Sequence, residues 1–287
     1  MDHRHHAGGI YHRNLKTTLM KKTVGIIGAG ESGVGAALLA KNLGYDVFVS
    51  DGGKIQDGFR TELENAQIDF EEGAHDLNRL MSCDDIIKSP GIPSDAEVIQ
   101  NLKANQNHIL GELQFGCEHS DARIIAVTGS NGKTTTATLI HHILQSAGMD
   151  AELAGNMGIG FCRSLLKGDH EFYVLEVSSF QLDDSPEFHP YISILLNITP
   201  DHLDRYHNDF MEYSRSKMKI AQKLTSQDHF IFWADDETIT QLLNEKIIPA
   251  NTYPFGLDYQ EGRTAYVQNE TLQISIKKKL SLCQFMN

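Results

Sequence analysis

The stretch 124–139, IIAVTGSNGKTTTATL, joins an apolar run to a loop that contains two glycines, a lysine and threonines. Backbone N–H groups of a glycine-rich turn before a helix form an anion site. A lysine after the second glycine reaches the β- and γ-phosphates of a nucleotide, and the next hydroxyl binds Mg²⁺. The strict pattern has an earlier glycine where this chain has Val127, so the loop is a shorter variant. These residues predict a nucleoside triphosphate site, most simply for ATP, formed by Gly129, Ser130, Asn131, Gly132, Lys133, Thr134 and Thr135.

A carboxylate lies within a later apolar run, VLEVSSFQL at 174–182. Glu176 falls near the end of the predicted strand, at the edge of the sheet where open α/β folds bind ligands. A carboxylate in such a run is costly unless it is paired or holds a metal. We therefore predict that Glu176 ligates Mg²⁺, and a structural ion pair is the alternative.

The segment NITPDHLDRY (197–206) follows the next strand and places several charged side chains in one loop. Such a loop can be merely solvated, but its position at another strand end favours a part in the same site as Glu176. Lys217 follows in a helical segment with several lysines. By residue type alone it is an ordinary surface lysine.

A second glycine cluster, GAGESG (28–33), fits the pattern G-x-G-x-x-G directly after a predicted strand and at the start of a helix. Asp51 ends the next strand. This arrangement binds a pyrophosphate at the helix N-terminus, and both NAD and a UDP-sugar present one. Glycines needed only for helix–strand packing are the other explanation.

Two phosphate sites in consecutive α/β units favour a kinase or an ATP-driven ligase over a dehydrogenase. Two alternatives remain open on the residues alone. One is an NAD-linked oxidoreductase that uses the cluster 28–33. The other is a catalytically inactive module that binds a UDP-sugar or a nucleotide.

Composition narrows the class of protein. The 287 residues suggest two domains, and a net charge of −13 argues against a nucleic-acid surface. The four cysteines form no C-x-x-C pair, which makes a zinc site improbable and favours free thiols in a reducing cytoplasm. No apolar run reaches the ~18 residues of a membrane span. Residues 1–19 are rich in histidine and predict a disordered leader or an artefact.

Short apolar runs alternate with helical stretches from Lys22 onward. Strands are predicted in TVGII, DVFVSD, DDIIKSPGIP, RIIAVTG, EFYVLEVSS and YISILLNIT, and helices at 32–43, 133–147, 156–167 and 208–224. This alternation predicts parallel sheets covered on both faces. The segment 264–280 predicts a hairpin that turns near Asn269 and Glu270. The fold class is therefore α/β, with a Rossmann-like N-terminal domain followed by a mostly parallel P-loop-type ATPase domain.

The motifs TGSNGKTT, AGNMG (154–158), LEVSSFQL and NITPDHLDRY resemble those of the Mur ligases of peptidoglycan synthesis. With GAGESG and SPGIP, the pattern is most similar to the branch of that family that adds D-glutamate to UDP-N-acetylmuramoyl-L-alanine. The resemblance covers residues 20–260. It implies an ATP-dependent, ADP-forming ligase of the bacterial cytoplasm, which acts through an acyl phosphate and as a monomer.

The resemblance also implies roles for single residues. Lys133 would bind the β- and γ-phosphates, and Thr134 and Glu176 would hold one Mg²⁺. His202 and Lys217 would serve a second Mg²⁺, with Lys217 carbamylated by CO₂, because an ammonium repels the cation whereas a carbamate offers it anionic oxygen. The UDP-substrate would contact Gly30, Glu31, Ser32, Gly33, Asp51, Ser89 and Gly91 in the first domain, and Asn156, Ser178 and Gln181 in the second.

A helical turn followed by a polar patch in GELQFGCEHSDAR (111–123) predicts a domain boundary there. The resemblance then implies that residues 20–116 bind the UDP-substrate and residues 117–287 bind ATP. Family members have a third domain that supplies the D-glutamate pocket, and this sequence does not contain it. A leucine–glycine–histidine–asparagine motif expected after the hairpin is also missing from LSLCQFMN. A truncated or frameshifted product is the explanation we favour. We therefore expect weak binding of the UDP-substrate and little or no ligation by the chain as given.

Overall fold

The computed structural model describes residues 21–276 and 279–284, so the predicted leader at 1–19 lies outside the described residues. The first sheet has five parallel strands in the order β3-β2-β1-β4-β5. Its strands are β1 (Thr23–Ile27), β2 (Asp46–Asp51), β3 (Asp69–Glu72), β4 (Asp85–Lys88) and β5 (His108–Gly111). The helices between them are α1 (Glu31–Asn42), α2 (Asp57–Asn65), α3 (Leu77–Met81) and α4 (Glu97–Ala104).

Helix α5 (Glu112–Cys117) leads to the second sheet, in which nine strands lie in the order β14-β13-β12-β11-β10-β9-β6-β8-β7. The strands are β6 (Arg123–Thr128), β7 (Ala151–Gly155), β8 (Phe172–Glu176), β9 (Ile192–Leu195), β10 (His229–Trp233), β11 (Asn251–Phe255), β12 (Ala265–Gln268), β13 (Thr271–Ile276) and β14 (Lys279–Gln284). The helices are α6 (Lys133–Ser146), α7 (Phe161–Leu165), α8 (Ser179–Asp183), α9 (Phe210–Met218) and α10 (Glu237–Glu245), with 3-10 turns at Leu203–Tyr206 and Lys219–Ala221.

Strands β6 to β12 pair in parallel, and β12, β13 and β14 pair antiparallel. The α/β class predicted from the apolar runs is confirmed, since β1, β4, β6 and β8 bury nearly every residue. The predicted hairpin is also present. Its turn residues Asn269 and Glu270 have φ of 49° and 59°, the left-handed conformation that a tight hairpin turn requires.

Two helix predictions need correction. The helix predicted at 156–167 spans only Phe161–Leu165, because residues 151–155 form β7 and the glycines at 155, 158 and 160 hold a loop before it. The helix predicted at 208–224 ends at Met218 and continues as a 3-10 turn. Within the described residues, no helix combines the length and apolarity needed to cross a membrane.

Candidate active site

The loop that joins β6 to α6 lies at the carboxyl end of the second sheet. Gly129 and Gly132 have φ of 156° and 83°, and Gly132 directly precedes the first turn of α6. Glycine adopts these angles without steric cost, which lets the loop curl around the helix N-terminus. The unsatisfied N–H groups of that terminus make the loop suited to bind an anion.

Residues after β9 hold this loop in place. Ser130 Oγ donates to Thr199 O at 2.8 Å and accepts the Thr199 N–H at 2.9 Å. The Asn131 N–H donates to Asn197 Oδ1 at 2.9 Å, and Asn197 Nδ2 donates back to Asn131 O at 3.0 Å. The segment NITP (197–200) therefore shapes the loop 129–132, which we call the phosphate loop. Sequence reasoning assigned no role to Asn197, although an asparagine just after a strand end was a usable signal.

Two lysines converge on the same loop. Lys133 Nζ donates to the carbonyls of Gly129 and Ser130 at 2.9 and 3.0 Å. Lys217 Nζ, on α9, also donates to Gly129 O at 2.9 Å and lies 4.7 Å from the centre of the Tyr213 ring. Lys217 is only 3% exposed, and burial, together with the positive charge of Lys133, lowers its pKa to about 7. It is therefore not an ordinary surface lysine.

Glu176 ends β8 and is 3% exposed. It accepts a hydrogen bond from Thr134 Oγ1 at 2.6 Å and one from Asn156 Nδ2 at 3.0 Å. Both hydrogen-bond partners are neutral, so the buried carboxylate has charge left to offset. Thr134 and Glu176 offer hard oxygen ligands side by side, and this set fits Mg²⁺.

His202 is placed differently from the other residues predicted to bind metal. Its side chain is 60% exposed, its Nε2 lies 3.6 Å from Asp201 Oδ2, and its φ is 49°. Its ring packs 5.6 Å from that of Phe180. Within the described part of the chain, no three His, Cys, Asp or Glu side chains gather into a metal-binding group. The structure thus brings Thr134 and Glu176 together but does not add His202 to them.

Ser178 and Gln181 form the first turn of α8. Ser178 Oγ accepts the Gln181 N–H at 3.3 Å, and Gln181 Oε1 accepts the Ser178 N–H at 3.0 Å. This is a capping box, which satisfies two N–H groups that a helix start leaves free. The S-x-x-Q spacing is the sequence signal of this local role.

The first glycine loop, 28–33, lies where the strand order of the first sheet reverses between β1 and β4. Asp51 Oδ2 accepts the Ala29 N–H at 2.7 Å, and Ser89 Oγ donates to Gly28 O at 3.0 Å. A Cβ on Gly33 would lie 1.8 Å from Gly28 O, whereas one on Gly30 would meet nothing within 4 Å. The loop is therefore closed against its own helix and open at Gly30, where a ligand can approach. Open α/β sheets bind ligands at such a reversal point.

A chain of contacts links the two glycine loops. Glu31, which starts α1, accepts from Arg163 Nε at 2.7 Å and from the Gly160 N–H at 3.2 Å. Gly160 ends the loop that carries Asn156, which donates to Glu176, the partner of Thr134. On another side, Arg205 Nη1 approaches Gly91 O at 3.4 Å. The predicted anion sites of the two sheets therefore lie in one connected region.

Two buried charged groups between the sheets were not predicted. Lys88 pairs with Asp184 at 2.7 Å, and Lys88 is 3% exposed. Glu112 is 1% exposed, and its Oε1 accepts the Cys162 N–H at 2.7 Å, while its Oε2 has no hydrogen-bond partner in the described residues. Burial raises the pKa of Glu112 to about 7. No local pattern in GELQFG signals this burial, which depends on the packing of α5 against α7.

Two cavities lie near the candidate site, and only one of the two is lined by predicted site residues. One, of about 400 Å³, adjoins Asn131 and Gly132 and is walled mainly by apolar and aromatic side chains, including Trp233, Phe255 and Tyr266. The other, of about 810 Å³, lies between the sheets, and the described residues that line it include none of the predicted site residues. Of these two cavities in the described part of the chain, the first is therefore continuous with the phosphate loop.

Comparisons with known proteins agree with this arrangement. The Mur ligase middle domain family matches residues 127–284, and the MurD N-terminal domain family matches residues 23–98. The chain is 46% identical over 256 residues to the UDP-N-acetylmuramoylalanine--D-glutamate ligase of Bacteroides fragilis, covering 89% of this chain and 57% of that protein. The Porphyromonas gingivalis protein of the same name is 43% identical over 257 residues, covering 90% and 57%. The chain thus spans a little over half the length of these relatives.

Solved structures share the fold. A UDP-N-acetylmuramate:L-alanyl-gamma-D-glutamyl-meso-diaminopimelate ligase from Neisseria has a TM-score of 0.62 at 19% identity, covering 91% of this chain and 86% of that one. UDP-N-acetylmuramate-alanine ligase MurC from Thermotoga maritima has a TM-score of 0.52 at 22% identity, covering 88% and 57%. At this level of identity the likeness concerns the fold alone, and it agrees with the predicted pair of α/β domains.

Proposed function

The chain belongs to the Mur ligase family, and we propose that it forms the parts of a D-glutamate-adding ligase that bind UDP-N-acetylmuramoyl-L-alanine and ATP. The observation that carries the proposal is the connected region in which Glu31, Asn156, Glu176 and Thr134 join the two glycine loops. Residues 20–116 would bind the UDP-substrate and residues 117–287 would bind ATP, in a monomer of the bacterial cytoplasm. The hydride-transfer alternative leaves the phosphate loop and Glu176 without a role.

The proposed reaction has two steps. The substrate carboxylate attacks the γ-phosphorus of ATP, which forms an acyl phosphate and releases ADP. The amine of D-glutamate then attacks the acyl carbon, and phosphate leaves as the amide bond forms and the amine loses a proton. Neither step needs a nucleophile from the protein, so the protein contributes by positioning the reactants and offsetting phosphoryl charge.

The phosphate loop suits the first step. Lys133 would exchange its bonds to two loop carbonyls for bonds to phosphate oxygens, and the loop N–H groups would bind the same phosphates. Thr134 and Glu176 would hold Mg²⁺, which supplies positive charge next to the transferring phosphoryl group. His202 and a carbamylated Lys217 would hold a second ion. A pKa near 7 leaves much of Lys217 as the neutral amine that adds to CO₂ with release of a proton.

The adenine ring of ATP and the pyrophosphate of the UDP-substrate can each be assigned to an open region near a glycine loop. The cavity of about 400 Å³ beside Gly132 is apolar and can take the adenine ring against Trp233 and Tyr266. The open side of Gly30 can admit the pyrophosphate of the UDP-substrate. Glu31 would act mainly through its position at the helix start, since its carboxylate already pairs with Arg163. Asn156 would stand between the UDP-substrate and the ion at Glu176.

Calorimetry of the chain tests this assignment. Wild type should bind MgATP and UDP-N-acetylmuramoyl-L-alanine at separate sites. Lys133→Ala should weaken MgATP binding at least tenfold, on the scale of a lost charge-assisted contact, and leave the UDP-substrate affinity unchanged. Lys246→Ala, which changes an exposed lysine directly after α10, is the matched control. Unchanged MgATP affinity in Lys133→Ala, or no binding of the UDP-substrate by wild type, would contradict the proposal.

A further inference from the structure

Three polar side chains form a cluster at the edge of the first sheet that the proposed reaction does not use. Ser50 Oγ, near the end of β2, lies 2.6 Å from Glu71 Oε1 on β3. The same atom lies 2.6 Å from His75 Nδ1, in the loop between β3 and α3. Serine, histidine and a carboxylate are the groups of a hydrolytic triad, which raises the question of what this cluster does.

The cluster is not built for nucleophilic catalysis. Ser50 is fully buried, so no substrate carbonyl can reach its hydroxyl. In a triad the histidine lies between the serine and the carboxylate, whereas here the serine lies between the other two. The cluster instead fixes the orientation of His75.

The hydrogen-bond network also fixes which ring nitrogen carries the proton. An ionised carboxylate only accepts hydrogen bonds, so the Ser50 hydroxyl donates to Glu71, which also accepts the Asp76 N–H at 2.7 Å. The oxygen of Ser50 is then the acceptor for Nδ1–H of His75. A neutral imidazole that donates through Nδ1 carries its lone pair on Nε2. Nε2 of His75 has no hydrogen-bond partner among the described residues, and the residue is partly exposed. His75 therefore presents a free acceptor.

That acceptor lies beside the proposed UDP site. Nε2 is 3.0 Å from the place where a Cβ on Gly52 would stand, so the ring edge lies against the residue after Asp51. The Gly73 N–H donates to the carbonyls of Asp51 and Gly53, and Asp51 in turn binds the Ala29 N–H of the first glycine loop. The loops after β1, β2 and β3 thus meet at one edge. In folds of this type the nucleoside extends from the glycine loop across the end of the second strand.

We propose that Nε2 of His75 accepts the N3–H of the uracil ring and makes the first domain selective for uridine nucleotides. Uracil carries a hydrogen at N3, whereas cytosine has a lone pair there, so a fixed acceptor favours the first base and leaves two facing lone pairs with the second. Gly52 and Gly53 have no side chains and leave room for the base. Both carboxylate oxygens of Asp51 already accept backbone N–H groups, so they hold the loops together. This inference rests on the proposed function, namely that the first domain binds a UDP-sugar.

The test combines a change in the protein with a change in the base. UDP, CDP and N3-methyl-UDP are titrated by calorimetry against wild type, His75→Ala and a control, His108→Ala, which removes an exposed histidine from β5 of the same sheet. Wild type and the control should bind UDP about tenfold more tightly than either of the other two nucleotides, as expected for one hydrogen bond with a penalty for its loss. In His75→Ala the three affinities should become nearly equal. Ser50→Ala should reduce the preference without removing it, since the ring would lose its anchor but keep its place.

The outcomes test separately the role of His75 and the binding of a UDP-sugar by the first domain. A preference for UDP that survives in His75→Ala overturns the role of His75 and leaves the UDP site in place. Equal binding of UDP and CDP by wild type does the same. Failure of wild type to bind any of the three nucleotides overturns the proposed function of the first domain, and this inference with it.

Discussion

Replacement of Glu112 by glutamine should stabilise the protein at alkaline pH and have much less effect at acid pH. The carboxylate is buried between α5 and α7, and its Oε2 has no hydrogen-bond partner in the described residues. Burial raises the pKa of Glu112 from 4.5 to about 7 in the folded protein. Between these two pKa values the folded state binds more protons than the unfolded state, so the free energy of unfolding falls as the pH rises.

The magnitude follows from the size of the pKa shift. Each unit corresponds to about 1.4 kcal/mol, so ionised Glu112 costs about 3 kcal/mol of stability above pH 7. Glutamine keeps an acceptor for the Cys162 N–H and does not titrate. The difference in the free energy of unfolding between Glu112→Gln and wild type should therefore grow by about 2 kcal/mol in favour of the variant from about pH 5.5 to about pH 8.5.

Urea unfolding followed by circular dichroism at both pH values measures this difference. Glu118→Gln, which changes an exposed glutamate just after α5, is the control and should show no pH-dependent gain. The reasoning is wrong if the difference between Glu112→Gln and wild type is the same at both pH values, or if it shrinks as the pH rises.

Three further changes test other parts of the site. Gly155→Ala should destabilise the protein by about 1–3 kcal/mol more than Gly168→Ala. Both glycines have φ near 115°, but only at 155 would the added Cβ meet a backbone oxygen, at 2.3 Å. Thermal unfolding compares the two variants, and equal losses of stability would refute the steric argument. Arg163→Met should lower the free energy of unfolding by roughly 1–3 kcal/mol, because it removes partly buried ion pairs with Glu31 and Glu62. Arg123→Met, which removes an exposed ion pair, should lower it by less than about 1 kcal/mol in the same assay. The ¹³C NMR signal of lysine carbamate, observed with labelled bicarbonate, should increase from about pH 6 to about pH 8 as Lys217 loses its proton. A carbamate signal that persists in Lys217→Met would belong to another lysine.

Local patterns were sufficient for much of the fold. The runs TVGII and DVFVSD became β1 and β2 with the predicted bounds, since a buried parallel strand needs only a short continuous apolar segment. The hairpin turn at Asn269 and Glu270 was equally readable, because its chemistry lies within a few residues. The helix predicted at 156–167 was wrong in extent because Gly158 and Gly160 belong to a loop between β7 and α7. Gly155, which ends β7, packs against the backbone of Glu176.

The residues of the candidate site also divide into those that local patterns identify and those that only tertiary contacts reveal. Lys133, Thr134 and Glu176 could be selected from the sequence, since their neighbours along the chain already define a strand end or a helix start. Their role in catalysis stays a prediction, as do those of His202 and Lys217. The position of Asn197 just after a strand end was readable in the same way, but its bond to the Asn131 N–H was not. The burial of Glu112 had no such local signal, because its contact with Cys162 connects residues far apart in the chain.

The order of residues by itself determined two glycine loops, each between a strand and a helix, and hence the prediction that this chain binds phosphate groups. Backbone angles and helix N-termini depend on neighbouring residues, so a linear pattern is enough to specify them. Only the tertiary structure decided that Glu31 reaches Arg163, that Lys217 is buried beside Lys133, and that His75 is oriented by Ser50. Burial and electrostatic environment arise from side chains that meet through space, and no spacing along the chain encodes them directly.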